Sequence, residues 1–344
     1  MGRKSVKITV VGAGAIGGVT AGFLAREGYD VEIVSKYEDL ADKIRHKGIH
    51  VFGVGGDFSV VMPAFAKVTE LSGTRDIVLL ATKATDMIEA ARELLPYLKE
   101  STAVVSMQNG ICEEALAGVV GRERIVGCVV GWGGTMHGPG EIEMTSKGEF
   151  VIGNIDNKDD PRLELIQEIL STIVPVHTTN NMLGNLYSKL IINSCITSLG
   201  AVCGLYLGEM LAERKIRNIF IQIMIEAMDV ANAMGLNVEI YGGKLNYYTF
   251  TEGTGALKRF KRHLVIRLIG FKYRRLKSSM LQSLERGKKT EIDYMNGYIC
   301  EQGKRFEVPT PVNDTIVRMI REIENGDRKI SRENFNDPFF KVFE

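Results

Sequence analysis

The chain has 344 residues, of which 45% are hydrophobic, and its formal net charge at pH 7 is +1. This length is typical of about two domains. The near-neutral net charge gives no overall electric field that would attract nucleic acid. Five widely spaced cysteines lack a C-x-x-C pair. They argue against a disulfide framework or a metal site, and they favour reduced thiols in a cytoplasmic protein.

Residues 190–208 carry no charge, which raises the question of a membrane span. The stretch contains Asn193, Ser194, Thr197, Ser198 and three glycines, a composition more typical of a buried helix than of a bilayer span. The N-terminus enters the first predicted strand almost at once, so we expect no signal peptide. These features predict a cytoplasmic protein without a membrane span.

Residues 6–18 carry the glycine pattern of a dinucleotide-binding turn. The run 6–11 is β-rich and nearly uncharged, which predicts a buried parallel strand. Three glycines follow at the G-x-G-x-x-G spacing, then a predicted helix (16–27) and a second predicted strand (31–34). An ordinary glycine-rich turn is the alternative, and the complete strand–turn–helix–strand context argues against it.

Each glycine of this pattern has a steric reason. Gly12 permits the tight turn, Gly14 leaves room for a pyrophosphate, and Gly17 lets the helix pack close to the strand. Ala15 precedes the predicted helix and Ile16 begins it, and the first N–H groups of this helix would point at the phosphates. These five residues are candidate cofactor contacts.

The end of the second predicted strand bears on the choice of cofactor. An acidic side chain there would hold the adenosine ribose hydroxyls of NADH. The strand ends instead in Ser35 and Lys36, and the nearest acid, Glu38, lies beyond the expected position. A hydroxyl donor and a cation suit a 2′-phosphate, so we predict NADPH as the cofactor. A solvated loop lysine is the alternative for Lys36.

Up to about residue 180 the pattern continues as α/β. Further strands are predicted over 76–81, 102–107, 125–131 and 174–178, hairpins over 48–68 and 141–152, and helices over 84–98 and 161–171. Lys83 and Asn109 each follow a strand, where ligands of open α/β sheets bind. Both are candidate cofactor contacts, although a plain Asn-Gly turn is an equal alternative for Asn109.

Beyond residue 180 the pattern changes to long helices, predicted over 183–203, 209–234, 277–286, 290–303 and 311–325. The first of these carries Asn185, Lys189, Asn193 and Thr197 at i, i+4, i+8 and i+12, on one face. Partial desolvation would lower the pKa of the lysine toward neutrality and suit it to proton transfer. A salt-bridged structural lysine is the equal alternative.

Two further segments stand out in the helical half. Thr290 and Asp293 have the spacing of a capping box, and Glu291 would be a first-turn carboxylate. Residues 258–289 hold twelve Lys or Arg and one acid, Glu285, interleaved with apolar residues. A solvated helix face is the default interpretation of this basic segment, and an interfacial or partner-binding helix is the alternative.

Four blocks in order resemble the ketopantoate reductase (2-dehydropantoate 2-reductase) family. They are the glycine fingerprint, Gln108-Asn109-Gly110, the Lys189-Leu190-x-x-Asn193 helix, and Ser278-Ser279-Met280-Leu281-Gln282 followed by Thr290-Glu291-Ile292-Asp293-Tyr294-x-Asn296-Gly297. The resemblance covers nearly the whole chain. It implies an α/β fold with an N-terminal Rossmann domain (1–180), an all-helical domain (181–344), and an active site in the cleft between them.

The resemblance also implies a role for each candidate in the helical half. Lys189 would be the general acid that protonates the carbonyl oxygen, and Glu291 would hydrogen-bond the hydroxyl or help to place Lys189. Asn193 and Ser279 would bind substrate. Thr197 departs from the family pattern, which has a second substrate-binding Asn at that position, and so puts the exact 2-oxo acid in doubt.

We therefore expect an NADPH-dependent reductase of a small 2-oxo acid, with 2-dehydropantoate, a precursor in pantothenate biosynthesis, as the first candidate. A related 2-oxo acid reductase or an opine-type dehydrogenase is the alternative within the class. A non-catalytic NADP(H)-sensing regulator is the alternative outside it, but a sensor would not need Lys189 and Glu291 together. The sequence is compatible with a homodimer and does not fix the oligomeric state.

Overall fold

The computed structural model describes residues 6–253 and 255–343. The chain divides into two compact units, Met1–Leu186 and Tyr187–Glu344. The strands are β1 (Ile8–Val11), β2 (Val31–Val34), β3 (Ile49–Gly53), β4 (Phe58–Val60), β5 (Ala64–Phe65), β6 (Arg75–Leu80), β7 (Leu98–Ser106), β8 (Ile125–Val130), β9 (Gly133–Gly138), β10 (Glu141–Ser146), β11 (Phe150–Asn154) and β12 (Val176–Thr178).

The helices follow the predicted change of pattern along the chain. Those of the first unit are α1 (Ala15–Arg26), α2 (Glu38–Lys47), α3 (Ala84–Leu94), α4 (Glu113–Val120) and α5 (Arg162–Leu170). Later helices are α6 (Met182–Cys203), α7 (Leu207–Ala212), α8 (Arg214–Ala233), α9 (Tyr247–Thr251), α10 (Ala256–Lys272), α11 (Ser279–Glu285), α12 (Asn296–Arg305) and α13 (Pro311–Glu324). The predicted α/β part followed by an all-helical part is confirmed.

The larger sheet has the strand order β12-β11-β8-β7-β6-β1-β2-β5, with β1 pairing in parallel to β2 on one side and to β6 on the other. Chain order reverses direction across the sheet at β1, which is where ligands of doubly wound sheets bind. Val11 pairs with Val34 and with Leu80, so these three strands end level. Their carboxyl ends place Gly12, Ser35 and the turn after Leu80 at one edge of the sheet.

A second sheet, in the order β4-β3-β10-β9, covers α1. The helix approaches this sheet closely, since a Cβ at Gly18 would lie 2.2 Å from Ile142 Cδ1. The predicted hairpin over 48–68 is confirmed by the antiparallel pairing of β3 with β4.

The hairpin predicted over 141–152 is wrong. Strand β10 pairs antiparallel to β9, whereas β11 belongs to the larger sheet and pairs with β8. The buried ring of Phe150 draws β11 into the core of that sheet. The true partner, β9, is Gly-Gly-Thr-Met-His-Gly, which lacks the alternating apolar pattern that marks a strand.

Helix α6 contains the boundary between the two units and confirms the helix predicted over 183–203. It is the one described helix that is long and apolar enough to cross a membrane, with a mean hydropathy of 1.3. Because 83% of that stretch is buried inside the protein, it has the character of a core helix.

Three predictions in the helical half are wrong in detail. The helix over 209–234 is two helices, because Glu213 has extended backbone angles. The helix over 290–303 is a short 3-10 turn (Ile292–Tyr294) followed by α12. The capping box at Thr290 does not form, because its N–H and hydroxyl both donate to Glu324 Oε1, at 2.6 and 2.7 Å. Asp293 pairs instead with Arg321 at 2.6 Å.

Candidate functional site

The turn after β1 is shaped for a phosphate group. Gly12 has φ +112°, and a Cβ there would lie 2.7 Å from the backbone of Ala81. A Cβ at Gly17 would lie 1.9 Å from the carbonyl oxygen of Gly12. At Gly14, by contrast, no described atom lies within 4 Å of the position that a Cβ would take. The first and third glycines are therefore required by the fold, and the second opens the backbone to a ligand.

Helix α1 offers its first N–H groups at the same turn. It begins at Ala15 with Gly14 as the N-cap, and among the described residues no side chain caps it. Its first turn, which includes Ile16, carries no acid. An open helix N-terminus binds anions through its free N–H groups and its dipole. These residues fit the pyrophosphate of a dinucleotide.

Ser35 and Lys36 differ in what they can offer to a cofactor. The buried hydroxyl of Ser35 donates to the carbonyl oxygen of Tyr37 at 2.7 Å, so it shapes the turn. Lys36 has φ +73°, which is uncommon for a residue with a side chain, and its side chain is 62% exposed. Its Nζ lies 3.0 Å from Asp86 Oδ2, and this hydrogen bond is the main reason that the pKa of Lys36 is raised. Lys36 is therefore an exposed cation at this edge.

Lys83 and Asn109 lie at the ends of two neighbouring strands. Lys83 is exposed at the N-cap of α3, directly after β6, and Asn109 is partly buried after β7. The strand ends are joined by Gln108, which accepts a hydrogen bond from Ser106 at 2.9 Å and donates to Thr82 at 3.4 Å. Strand β6 adjoins β1, so all cofactor candidates of the first unit line one edge of the sheet.

Sequence reasoning missed a buried carboxylate at this edge. Glu113 opens α4, and its Oε2 accepts the N–H of Cys112 at 2.9 Å. Burial raises the pKa of Glu113, and only 4% of the residue is exposed. This bond joins neighbouring residues, so Glu113 fixes the start of α4, directly after the loop that contains Asn109. An acid at a helix start was the available signal.

The second unit carries the polar stripe on α6. Lys189 and Asn193 are partly buried, and Thr197 is buried. The Thr197 hydroxyl donates to the Asn193 carbonyl oxygen at 2.8 Å, and its oxygen lies 3.5 Å from Met295 Sδ. The hydroxyl is thus bound to its own helix, whereas the side chains of Lys189 and Asn193 keep part of their surface open.

The two blocks that follow in the chain are fixed near this stripe. Ser278 is buried and donates to the Thr197 carbonyl oxygen at 3.0 Å, while its oxygen accepts the N–H of Leu281 at 3.0 Å. This bond anchors the start of α11, where Ser279 is exposed. The partly buried Glu291 precedes the 3-10 turn. The structure therefore brings the Ser278 block to the Thr197 end of the stripe.

A buried amide chain fixes the second block to α6. Asn296 donates to the Ser194 carbonyl oxygen at 3.1 Å and to Asn313 Oδ1 at 2.9 Å. Asn313 in turn donates to Glu226, which also accepts the N–H groups of Val312 and Asn313 at 2.9 Å each. Glu226 thereby caps α13 from within the core. These hydrogen bonds hold the start of α12 against α6 at Ser194, which is one residue from Asn193. Sequence reasoning identified Asn296 only as part of a motif.

Comparison with known proteins decides the family. The family model "Ketopantoate reductase PanE/ApbA" matches residues 8–157, and "Ketopantoate reductase PanE/ApbA C terminal" matches residues 181–324. The chain belongs to the ketopantoate reductase family. It is an oxidoreductase of this dinucleotide-dependent family, as the glycine turn and the stripe on α6 led us to expect.

Relatives and solved structures agree with this assignment. The chain is 28% identical to the 2-dehydropantoate 2-reductase of Pyrococcus abyssi over 90% of its length and 94% of the relative's. It is 27% identical to that of Aquifex aeolicus, over 93% and 97%. The crystal structure of a ketopantoate reductase from Ralstonia eutropha has a TM-score of 0.80 at 28% identity, over 94% and 100% of the two chains. A D-mandelate dehydrogenase with NADH and anilino(oxo)acetate has a TM-score of 0.79 at 21% identity, over 93% and 99%, and shares the fold.

Proposed function

We propose that this protein reduces a small 2-oxo acid with NADPH, and that 2-dehydropantoate is its substrate. The observation that carries the proposal is the joint presence of an open glycine turn and of Lys189 and Asn193 on one face of α6, in a chain of this family. Relatives that span almost its whole length are named 2-dehydropantoate 2-reductase, which supports this substrate.

The choice of NADPH rests on Lys36. A 2′-phosphate at the end of β2 would meet an exposed ammonium group there, and a charge-assisted bond of this kind is among the stronger hydrogen bonds. Asp86 already holds that ammonium group at 3.0 Å, so the phosphate must compete with a carboxylate. The cofactor preference therefore depends on the balance between these two anions.

The chemistry assigns one task to each remaining candidate. A bound nicotinamide supplies the hydride that reduces the keto carbon. As that C–H bond forms, the carbonyl π electrons move to oxygen, and Lys189 donates the proton that completes the hydroxyl group. Glu291 orients Lys189 or the new hydroxyl. Asn193 and Ser279 bind the substrate, and Lys83 and Asn109 line the cofactor.

The cysteines support a reducing environment for this enzyme. All five are buried and none of them forms a disulfide, as expected of a protein that folds without such bonds. We therefore place the reaction in the cytoplasm.

The test is a panel of 2-oxo acids assayed by NADPH oxidation, with NADH in parallel. We expect turnover of 2-dehydropantoate with NADPH, at a higher kcat/KM than with NADH. If only a different 2-oxo acid is reduced, the proposed reaction stands but its substrate is that acid and not 2-dehydropantoate. NADPH binding without oxidation in the presence of every acid would favour a regulator and contradict the proposal.

A further inference from the structure

Helix α10 leaves a broad apolar stripe in solvent. Its opposite face packs on α7, where Ile266 is buried and a Cβ at Gly270 would lie 2.8 Å from Leu211 Cβ. The stripe consists of Leu257, Phe260, Leu264, Leu268 and Phe271, at the i, i+3, i+4 spacing of one helix face. Exposures of 64% for Phe260, 59% for Leu268 and 70% for Phe271 are large for apolar side chains. A contiguous patch of this kind marks an interaction surface.

Cations flank the stripe. On this helix Lys258, Lys261 and Lys272 lie on one side of the apolar residues, and Arg267 borders them on the other. Residues 253–284 contain no Asp or Glu. An amphipathic helix with an apolar face bordered by Lys and Arg is typical of helices that lie in a membrane interface.

A cavity of about 500 Å³ opens beside the stripe and is lined by Arg214, Arg217, Arg259, His263 and Arg267, together with apolar side chains. Arg217 is 7% exposed and donates to two backbone carbonyl oxygens and to His263 Nδ1 at 3.1 Å. Within residues 6–253 and 255–343, none of these four arginines forms an ion pair with a carboxylate. Arg214, Arg259 and Arg267 are exposed to solvent, whereas Arg217 is buried, and the four like charges make the cavity electropositive, which favours an anionic ligand.

The histidine that lines the cavity carries an unsatisfied donor. Its Nδ1 accepts the hydrogen bond from Arg217, which leaves the ring proton on Nε2. Across the described residues this Nε2 has no hydrogen-bond partner, although it is buried. Burial and the nearby arginines, Arg217 first, lower the pKa of His263, so the neutral ring persists near pH 7. The N–H group on Nε2 adds positive partial charge beside the arginines, so it strengthens the preference of this region for an anion.

We propose that α10 binds the surface of a membrane that contains anionic phospholipids. A headgroup phosphate occupies the arginine cavity, and the apolar stripe lies at the boundary between headgroups and acyl chains. A small soluble anion would satisfy the arginines but would leave Leu257, Leu268 and Phe271 in water. An anionic lipid surface accounts for the cavity, the flanking lysines and the stripe together.

The test is flotation of the full-length protein with vesicles of phosphatidylcholine alone and of phosphatidylcholine mixed with phosphatidylglycerol. We expect binding to the mixed vesicles that weakens as salt is added. The pair Arg259→Gln and Arg267→Gln should lower the partition coefficient roughly fivefold per charge removed. The pair Leu268→Ser and Phe271→Ser should lower it by at least about tenfold through lost apolar burial.

Matched variants separate these effects from a change in overall charge or fold. Lys47→Gln with Lys67→Gln removes the same charge from exposed sites of the first unit, and Val61→Ser removes an exposed apolar side chain there. Both should bind vesicles like the parent. The rate of NADPH oxidation without vesicles should stay unchanged in every variant, because none of these residues belongs to the proposed active site.

Several results would overturn the proposal. They are equal binding to both vesicle types, no binding to either, and vesicle binding that the α10 variants leave unchanged. Binding of glycerol 3-phosphate in calorimetry without vesicle binding would make the cavity a site for a soluble anion. A dimer in sedimentation equilibrium that Leu268→Ser with Phe271→Ser abolishes would make the stripe an interface between two copies. Each outcome is independent of whether the protein reduces a 2-oxo acid.

Discussion

The contact between Lys36 and Asp86 allows a sharp prediction about cofactor choice. The two side chains lie 3.0 Å apart and are 62% and 40% exposed, so their ion pair is worth about 0.2–1 kcal/mol. A charge-assisted bond from Lys36 to a 2′-phosphate is worth about 1–3 kcal/mol. The existing pair must be given up, and with about 0.5 kcal/mol for that pair the net gain for NADPH is about 0.5–2.5 kcal/mol. Lys36→Gln should weaken NADPH binding roughly two- to seventyfold and leave NADH nearly unchanged.

Asp86→Asn should act in the opposite direction. The change removes the competing carboxylate, so NADPH should bind up to about fivefold more tightly, with little effect on NADH. In the Lys36→Gln background this gain should disappear, because the ammonium group for which the two anions compete is absent. The double variant thus isolates the coupling between the two side chains.

The assay is a fluorescence titration of NADPH and NADH against the parent, both single variants and the double variant. A difference that appears with NADPH alone would place the 2′-phosphate at Lys36. Equal losses for both cofactors in Lys36→Gln would refute the assignment. A gain from Asp86→Asn that persists without Lys36 would refute the competition.

Two further predictions concern substrate range and pH. Thr197→Asn should favour 2-dehydropantoate over 2-oxo acids without the terminal hydroxyl, and the ratio of the two kcat/KM values should rise roughly two- to tenfold. The reason is that the native Thr197 hydroxyl donates to the Asn193 carbonyl oxygen, whereas an amide offers a further donor for the substrate. An unchanged ratio would show that Thr197 does not affect substrate choice. Hydrogen bonds to Asp57 and then Glu141 raise the pKa of His50 above its ordinary 6.5, so its stabilisation is complete below about pH 6.5 and is lost as the pH rises through the raised value. The difference in Tm between the parent and His50→Gln should therefore shrink from pH 6 toward about pH 9, and a constant difference would contradict the assignment.

The sequence was most informative where a local steric demand selects the residue. The glycine spacing alone assigned Gly12 and Gly17 their roles, and the structure agrees, since a Cβ would lie 2.7 and 1.9 Å from backbone atoms at these two positions. The polar face of α6 was predictable for a similar reason, since helical periodicity alone places Lys189, Asn193 and Thr197 together.

The features that sequence reasoning missed depend on partners far away in the chain. Strand β10 pairs with a glycine-rich run that has no strand pattern of its own. Thr290 is bound by Glu324, which lies 34 residues further on, and no rule of local capping could find that partner. Helices α2 and α4 were not among the predicted elements. The amide chain from Glu226 to Asn296 joins three helices, so only the folded structure reveals it.

The site residues on α6 remain the part of the mechanism that most needs a direct measurement. That measurement is the steady-state reduction of 2-dehydropantoate by NADPH in the parent, in Lys189→Gln, and in Lys304→Gln, which removes an exposed cation elsewhere in the second unit. We expect the parent and Lys304→Gln to turn over alike. Lys189→Gln should lower kcat by about 10²–10⁴-fold, the usual contribution of a positioned acid, with NADPH affinity retained. Turnover by Lys189→Gln within a few-fold of the parent would show that the proton comes from another group.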